Sequence, residues 1–359
     1  MWLQRLIGLA VILLPGYLLA QEDTVRSALI ADRLDTAQLG MIYSLARQYP
    51  LGGEVAIALL EGDQVTYYGA RRVDGQVVPV ENSGQAFAIG SVTKVFTATL
   101  LADAVVKGEL ALTDSVQEAF DFPFADGGNF TYEQLATHTA GLPRLPSNLP
   151  LTFADPYGAY TPADLEAYLQ NDLRTDVPEA GYSNLGFGIL GYVLSRQAGK
   201  SYPELLRRLL DQYGMTHTSV GPDSTQAVVV TGYSPDGTTP QPWLFTDAMA
   251  GAGAIYSTAE DMERFVRAQF DTTDAVLTLT QEPRVEQNGR QSIGLGWQII
   301  VPEPGRQIHW HNGAVGGYRS FVGMDVENQR GVVVLTNVLL MGQEVDATGM
   351  QLLRSLGTQ

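Results

Sequence analysis

The sequence predicts a mixed α/β protein: a central antiparallel sheet built from both ends of the chain and flanked by helices, with a mostly helical lobe inserted between the two strand-rich segments. Three observations support this. Strand patterns cluster near the two ends, helix patterns fill the middle, and the composition is that of an ordinary globular chain. The 359 residues are 45% hydrophobic, 17% charged and 9% aromatic, enough to bury a sizeable core. The α/β lobe is expected at about 21–95 and 250–359 and the helical lobe at about 96–249, with a ligand cleft between them.

Residues 1–20 read as a secretory signal. Arg5 supplies a positive start, Leu6 through Leu19 are apolar, and the chain turns polar at Gln21-Glu22-Asp23. Interrupted by Pro15-Gly16, that stretch falls short of the roughly 20 residues needed to cross a bilayer. Cleavage after Ala20 is expected, although Leu18 departs from the small-residue rule. The mature chain, 21–359, is then periplasmic or secreted, with no stable membrane insertion.

A helical segment follows over Thr24 to Gln48. Val55-Ala56-Ile57-Ala58-Leu59-Leu60 and Val65-Thr66-Tyr67-Tyr68 flank Glu61-Gly62-Asp63-Gln64, which predicts a hairpin. Helical periodicity marks Val92 to Val106 and Leu185 to Ala198, and proline-rich loops lie at Leu142 to Pro150 and Pro235 to Pro242. Strands are expected again at Gly294 to Val301, Gln307 to Trp310, Tyr318 to Asp325 and Gly331 to Asn337, before a short helical tail after Glu344.

Twenty-two Lys plus Arg against 39 Asp plus Glu give a formal net charge of −17, which repels a phosphate backbone, so no nucleic-acid partner is expected. The chain has no cysteine, which removes disulfides, thiolate metal sites and a thiol nucleophile. It has four histidines. His309-x-His311 lacks any accompanying ligand cluster, so no metal or other cofactor is expected.

Three short constellations carry chemistry. In Ser91-Val92-Thr93-Lys94 an alcohol and an amine share one face of a helix start, close enough for the amine to take or orient the hydroxyl proton. The positive helix end favours negative charge on the serine oxygen. The alternative is a helix cap followed by a solvated lysine, yet the chain has only three lysines, and neither of the others has a serine three positions before it. In Tyr182-Ser183-Asn184, residues i and i+2 of an extended segment point the same way, so a phenol and an amide face one cleft. A phenol beside a cationic lysine ionises more readily and can act as a base. The plainer reading makes Asn184 the cap of the helix that follows. In His311-Asn312-Gly313, embedded in a glycine-rich turn, an edge strand would point His311 at the cleft, let a substrate backbone approach Gly313, and free the Ala314 N–H to form an oxyanion hole with the N–H of Ser91.

Each piece occurs once, in the order Ser-x-x-Lys, Tyr-x-Asn, His-x-Gly. On these motifs the sequence resembles the serine β-lactamase and DD-peptidase superfamily, closest to class C β-lactamases, the related D-Ala-D-Ala carboxypeptidases and D-aminopeptidases, and esterases built on that scaffold. Supporting stretches are Thr137 to Pro143, Tyr182 to Gly199, Gly251-Ala252-Gly253 leading to Ser257 and Asp261, and Gly294-Leu295-Gly296-Trp297. The resemblance implies that Ser91 is the acylated nucleophile, Lys94 its proton partner, Tyr182 a proton-relaying base or acid and Asn184 a substrate-positioning amide, with His311 and Gly313 on the opposite wall. The β-lactamases of this class carry Lys-Thr-Gly where this chain has His-Asn-Gly. An unperturbed histidine is mostly neutral at pH 7, so the anchor for a β-lactam carboxylate is weakened. Arg319 is read as a solvated strand residue, with contact to a substrate carboxylate as the alternative.

Gly186-Phe187-Gly188-Ile189-Leu190-Gly191 matches a dinucleotide fingerprint by letter but lies in a helical pattern, where its glycines serve close packing. The expected function is an exported serine hydrolase forming an acyl-enzyme on an ester, a D-amino-acid peptide or a cyclic amide. Its partner is a small-molecule or peptide-like substrate. The alternatives are a true class C-type β-lactamase and a non-catalytic binder of cell-wall peptide or penicillin. Oligomeric state is not legible.

Overall fold

A computed structural model describes residues 34–150, 155–175, 181–303 and 305–357. The expected signal at 1–20 and the start of the Thr24–Gln48 helix lie outside the described residues. No described helix is long and apolar enough to cross a membrane.

Helix α1 (Thr36–Ala46) begins at a capping box in which the Asp35 carboxylate and the Gln38 side chain each take the other's backbone N–H. The hairpin follows as β1 (Glu54–Glu61) and β2 (Gln64–Val73), turning at Gly62-Asp63, and β3 (Gln76–Val80) continues the meander. A short β4 (Phe87–Ala88) leads through a 3-10 turn over Gly90–Val92 into α2 (Thr93–Val106). Next come α3 (Tyr132–Ala136), α4 (Pro162–Asn171), α5 (Asn184–Ala198), α6 (Tyr202–Gln212), β5 (Ser219–Val220), α7 (Ala250–Gly253), β6 (Ile255–Ser257), α8 (Ala259–Ala268) and α9 (Ala275–Gln281). The closing strands are β7 (Val285–Asn288), β8 (Gln291–Ile293), β9 (Gln298–Glu303), β10 (Arg306–Val315), β11 (Tyr318–Asp325) and β12 (Arg330–Thr336), and α10 (Glu344–Ser355) ends the described chain.

Nine strands form one antiparallel sheet in the order β3-β2-β1-β12-β11-β10-β9-β8-β7, so the two ends of the chain meet where β1 pairs with β12. Alternation along β1 splits its side chains between two apolar layers. Val55, Ile57 and Leu59 join the layer beneath α1 and α10, while Ala56, Ala58 and Leu60 join the larger core shared with α2, α5 and α8. In that core the rings of Phe96 and Phe265 stack at 4.3 Å. Truncating either to Ala would cost about 3–5 kcal/mol.

Several boundaries differ from expectation. β3 and the β7–β8 hairpin were not anticipated. The strand expected from Gly294 starts only at Gln298, because Gly294 to Trp297 form a tight turn. There Gly296, at φ +72°, lets the turn press on α2: a Cβ would stand 2.9 Å from the Ala98 methyl and 3.0 Å from the Lys94 carbonyl oxygen. β10 extends past Trp310 through the third motif to Val315. It is an interior strand of the sheet, yet its pairing with β9 stops at Trp310, so 311–315 form a local free edge. The fingerprint-like glycines lie inside α5. Gly188 and Gly191 bring it against α7, where a Cβ would meet Ala248 and Gly251 backbone at 2.8 and 2.9 Å.

Candidate active site

Ser91 sits in the 3-10 turn just ahead of α2, half-buried on the floor of a cleft of about 560 Å³. Gly90 shapes that turn: its φ is +51°, and a Cβ would lie 2.9 Å from the Ala314 nitrogen, so glycine alone lets the serine turn abut β10. From the other side the Ser320 hydroxyl on β11 donates to the Ile89 carbonyl at 2.7 Å, tying the turn to the sheet.

One helical turn on, Lys94 is wholly buried. Its Nζ lies 3.0 Å from Ser91 Oγ, 2.9 Å from Asn184 Oδ1 and 2.7 Å from the Ala252 carbonyl oxygen. None of these partners is charged. Burial, followed by the Arg144 cation, holds the amine well below the usual lysine range. The Tyr182 ring centroid lies 4.9 Å from Nζ and favours a cation, opposing the burial that disfavours one. The lowered basicity favours the neutral amine, the form that can accept a proton. It has two N–H donors and one lone pair. In that form the two fixed carbonyl acceptors take the donors and the lone pair is left for the serine hydroxyl, 3.0 Å away.

Asn184 and Tyr182 both line the cleft, as the i, i+2 reading requires. The cap of α5 is Ser183, not Asn184: the Ser183 hydroxyl accepts from Gly186 N–H at 2.9 Å and donates to the Pro143 carbonyl at 2.6 Å. That leaves the Asn184 amide free to reach inward, where Oδ1 takes Lys94 and Nδ2 donates to the Tyr157 hydroxyl at 3.3 Å. Tyr182 corrects another expectation. Burial pushes its phenol up to about 12, against the opposing pull of the neighbouring Ser91 hydroxyl and Arg144, so it is a proton carrier and not a phenolate base at neutral pH.

The third motif is arranged differently from the prediction. His311 is only 2% exposed and does not line the cleft; its ring lies behind the site, 6.2 Å from the Tyr182 ring. Nδ1 is 2.7 Å from the Asn312 carbonyl oxygen, which assigns the proton to that nitrogen and leaves buried Nε2 without a partner. Burial and then the nearby Lys94 push the imidazole down to about 3, so it stays neutral. Gly313 does line the cleft, but its missing side chain makes room for protein, not substrate: a Cβ would collide with the Ile89 carbonyl and the Ser320 hydroxyl. Ala314 is exposed in the cleft. In a two-residue hairpin Val315 and Tyr318 exchange hydrogen bonds, so the alternation turns the Ala314 N–H away from β11 and toward the serine turn. The first-turn N–H of Ser91 has no intrahelical partner either. Arg319 lines the cleft with its side chain 12% exposed, bonded to the Leu340 carbonyl at 3.2 Å and paired with Asp346 at 3.3 Å. It is thus a tethered strut, not the solvated residue expected.

Other residues of the site were not singled out in the sequence. His138, at φ +60°, accepts the Ser183 N–H through Nδ1 at 3.1 Å and lies against Tyr182 with ring centroids 4.4 Å apart. Tyr157, Phe245 and Trp243 form an aromatic wall, Tyr157 stacking on Phe245 at 4.7 Å. Asp155 joins their two loops by accepting from Gly158 and Leu244 N–H, both at 3.1 Å. Arg144 lines the mouth, its guanidinium carbon 5.3 Å from the Tyr182 ring centroid. His138 lies in a stretch that the resemblance had marked; Arg144 and the aromatics had only loop composition to point to them. Among the described residues no cluster of metal-ligating side chains occurs.

A serine hydroxyl facing a buried amine of lowered basicity, with a protonated phenol beside it and two backbone N–H groups close by, is the equipment of acyl transfer. The comparisons with known proteins place it. Residues 47–354 match the Beta-lactamase family, and the chain belongs to that family of serine hydrolases, which act through an acyl-enzyme. It is 27% identical over 320 residues to the D-alanyl-D-alanine-carboxypeptidase/endopeptidase AmpH of Escherichia coli K12, covering 78% of each chain. It is 24% identical over 340 residues to a β-lactamase of Pseudomonas fluorescens, covering 82% of this chain and 90% of that one. In fold it is similar to the β-lactamase of Sulfitobacter sp. EE-36, with a TM-score of 0.74 at 23% identity over 93% of this chain and 99% of the other.

Proposed function

We propose that Ser91 is acylated by an ester or a D-amino-acid peptide and released to water, and that the protein does this outside the cytoplasm. One observation carries the reading: Lys94 Nζ satisfies two carbonyl acceptors and presents its remaining position 3.0 Å from the Ser91 hydroxyl. The neutral amine takes the hydroxyl proton as Ser91 Oγ attacks the acyl carbon. The oxyanion that forms meets the N–H groups of Ser91 and Ala314. The proton passes by way of Tyr182 to the leaving group, the acyl-oxygen or acyl-nitrogen bond breaks, and water then repeats the sequence to release the acid and free Ser91. The similarity to a D-Ala-D-Ala carboxypeptidase supports a peptide substrate, and the aromatic wall suits an apolar or aromatic acyl group. The absence of a cation at His311 favours these over efficient β-lactam turnover.

Whole-protein mass spectrometry with nitrophenyl esters, D-Ala-D-Ala peptides and a cephalosporin tests the reading. A transient acyl adduct on Ser91, absent in Ser91→Ala, is expected. A permanent adduct, or none with any substrate, would favour a ligand-binding protein instead. Export rests on the apolar stretch at 6–19, and the N-terminal residue of the secreted protein checks it.

A further inference from the structure

We propose that Arg144 selects the substrate, taking a carboxylate on the leaving-group side of the scissile bond. The inference rests on the acyl-transfer reading of Ser91 and adds to it the charge and orientation of the substrate.

Among the described residues two arginines and no acidic side chain line the cleft. The two arginines are not equivalent. Arg319 is held by Asp346 and the Leu340 carbonyl, so its charge is already compensated. Arg144 is exposed at the mouth and makes no ion pair among the described residues. Lys94 beneath the serine and His311 behind the phenol are both buried, out of reach of a substrate at the mouth. In a chain of net charge −17 the cleft is therefore a local reversal of sign, with one exposed, unpaired guanidinium at its mouth among the described residues. The planar fork of that group suits bidentate contact with a carboxylate.

Position gives the orientation. The guanidinium lies over the ring of Tyr182, whose protonated hydroxyl adjoins Ser91 and hands a proton to the departing group. An acid held by Arg144 is consequently attached to the portion of substrate that leaves. The wall formed by β10 and β11 faces the acyl carbon with backbone N–H groups and offers no uncompensated cation among the described residues.

Two phenolic esters with the same acyl group test this, one of 3-hydroxybenzoate and one of 3-hydroxybenzamide, both assayed on the purified protein. The readout is the ratio of their kcat/KM values. Arg144 also depresses the basicity of Lys94, and the ratio within one variant cancels that effect because both esters meet the same amine. The wild type is expected to favour the carboxylate ester, and Arg144→Gln to lower the ratio at least about fivefold, as for an exposed but hydrogen-bonded charge pair. Arg144→Lys should retain part of the preference, and the wild-type ratio should fall as salt is raised. An unchanged ratio in Arg144→Gln, or an equal fall in Arg319→Gln, overturns the proposal while leaving the acyl-transfer reading intact. Turnover of neither ester, or turnover that survives Ser91→Ala, overturns the acyl-transfer reading and this proposal with it.

Discussion

The two walls of the cleft use opposite devices. On the helical side, side chains project into the space: Tyr182 and Asn184 from the start of α5, Arg144 and Tyr157 from loops. On the sheet side the strand wall closes on the serine turn, through the collision-tight fit of Gly313 and the Ser320–Ile89 bond, and its one charged side chain in the cleft, Arg319, is tethered to Asp346. Their electrostatics differ in the same way. The strand wall is neutralised internally, His311 by burial and Arg319 by Asp346, whereas the helical wall keeps an exposed cation. The comparison teaches that the strand wall fixes the serine turn and keeps its own charges compensated, while the opposite wall projects polar and charged side chains into the cleft.

The largest test of that division is at the amine. Lys94→Met should lower the acylation rate by about 10²–10⁴, the range of a positioned general base. Because the neutral form is active, the wild-type rate should also fall as pH is lowered through the depressed pKa of Lys94, and a pH profile of single-turnover acylation checks both. On the sheet side, Gly313→Ala should push β10 away from the Ile89 carbonyl, misplacing the oxyanion donors for a loss of about 10²–10³ in kcat. Smaller effects belong to the charges. The folded-state pKa of His311, about 3, lies below its unfolded value near 6.5. Its contribution is fully present above about pH 6.5 and is lost as pH falls toward 3, because only the unfolded chain takes the proton over that window. Denaturant unfolding should show the wild type losing on the order of 1–3 kcal/mol more than His311→Gln between about pH 7 and pH 4. Asp346→Asn should release Arg319 into the cleft and raise the preference for a carboxylate ester a few-fold, eroding the asymmetry of the walls; the same pair of phenolic esters reads it.

Much of this was legible in the chain. Serine and lysine three apart, and tyrosine and asparagine two apart, share a face for reasons of local geometry, and the structure brings the four together. The hairpin at 54–73 was legible from its alternation and its turn, and the α5 glycines from their place in a helical pattern. Other features were not. Asn184 reads as a helix cap until the neighbouring Ser183 is seen to hold that position. Tyr182 reads as a potential base because its spacing to Lys94 says nothing of how deeply both are buried. His311 and Arg319 follow the strand alternation, yet the Tyr182 ring that lies near the imidazole and the Asp346 carboxylate and Leu340 carbonyl that tether Arg319 are remote in sequence.

The chain by itself determined which groups are available and which of them face the same way, since those depend on helix and strand periods acting over a few residues. Tertiary structure alone decided their ionisation and their partners. Removal from water, and the arrival of Asp346, Ala252 or Ile89 from elsewhere in the chain, set whether an amine is a cation or a base, whether an arginine is tethered or free, and whether a glycine makes room for substrate or for the protein itself.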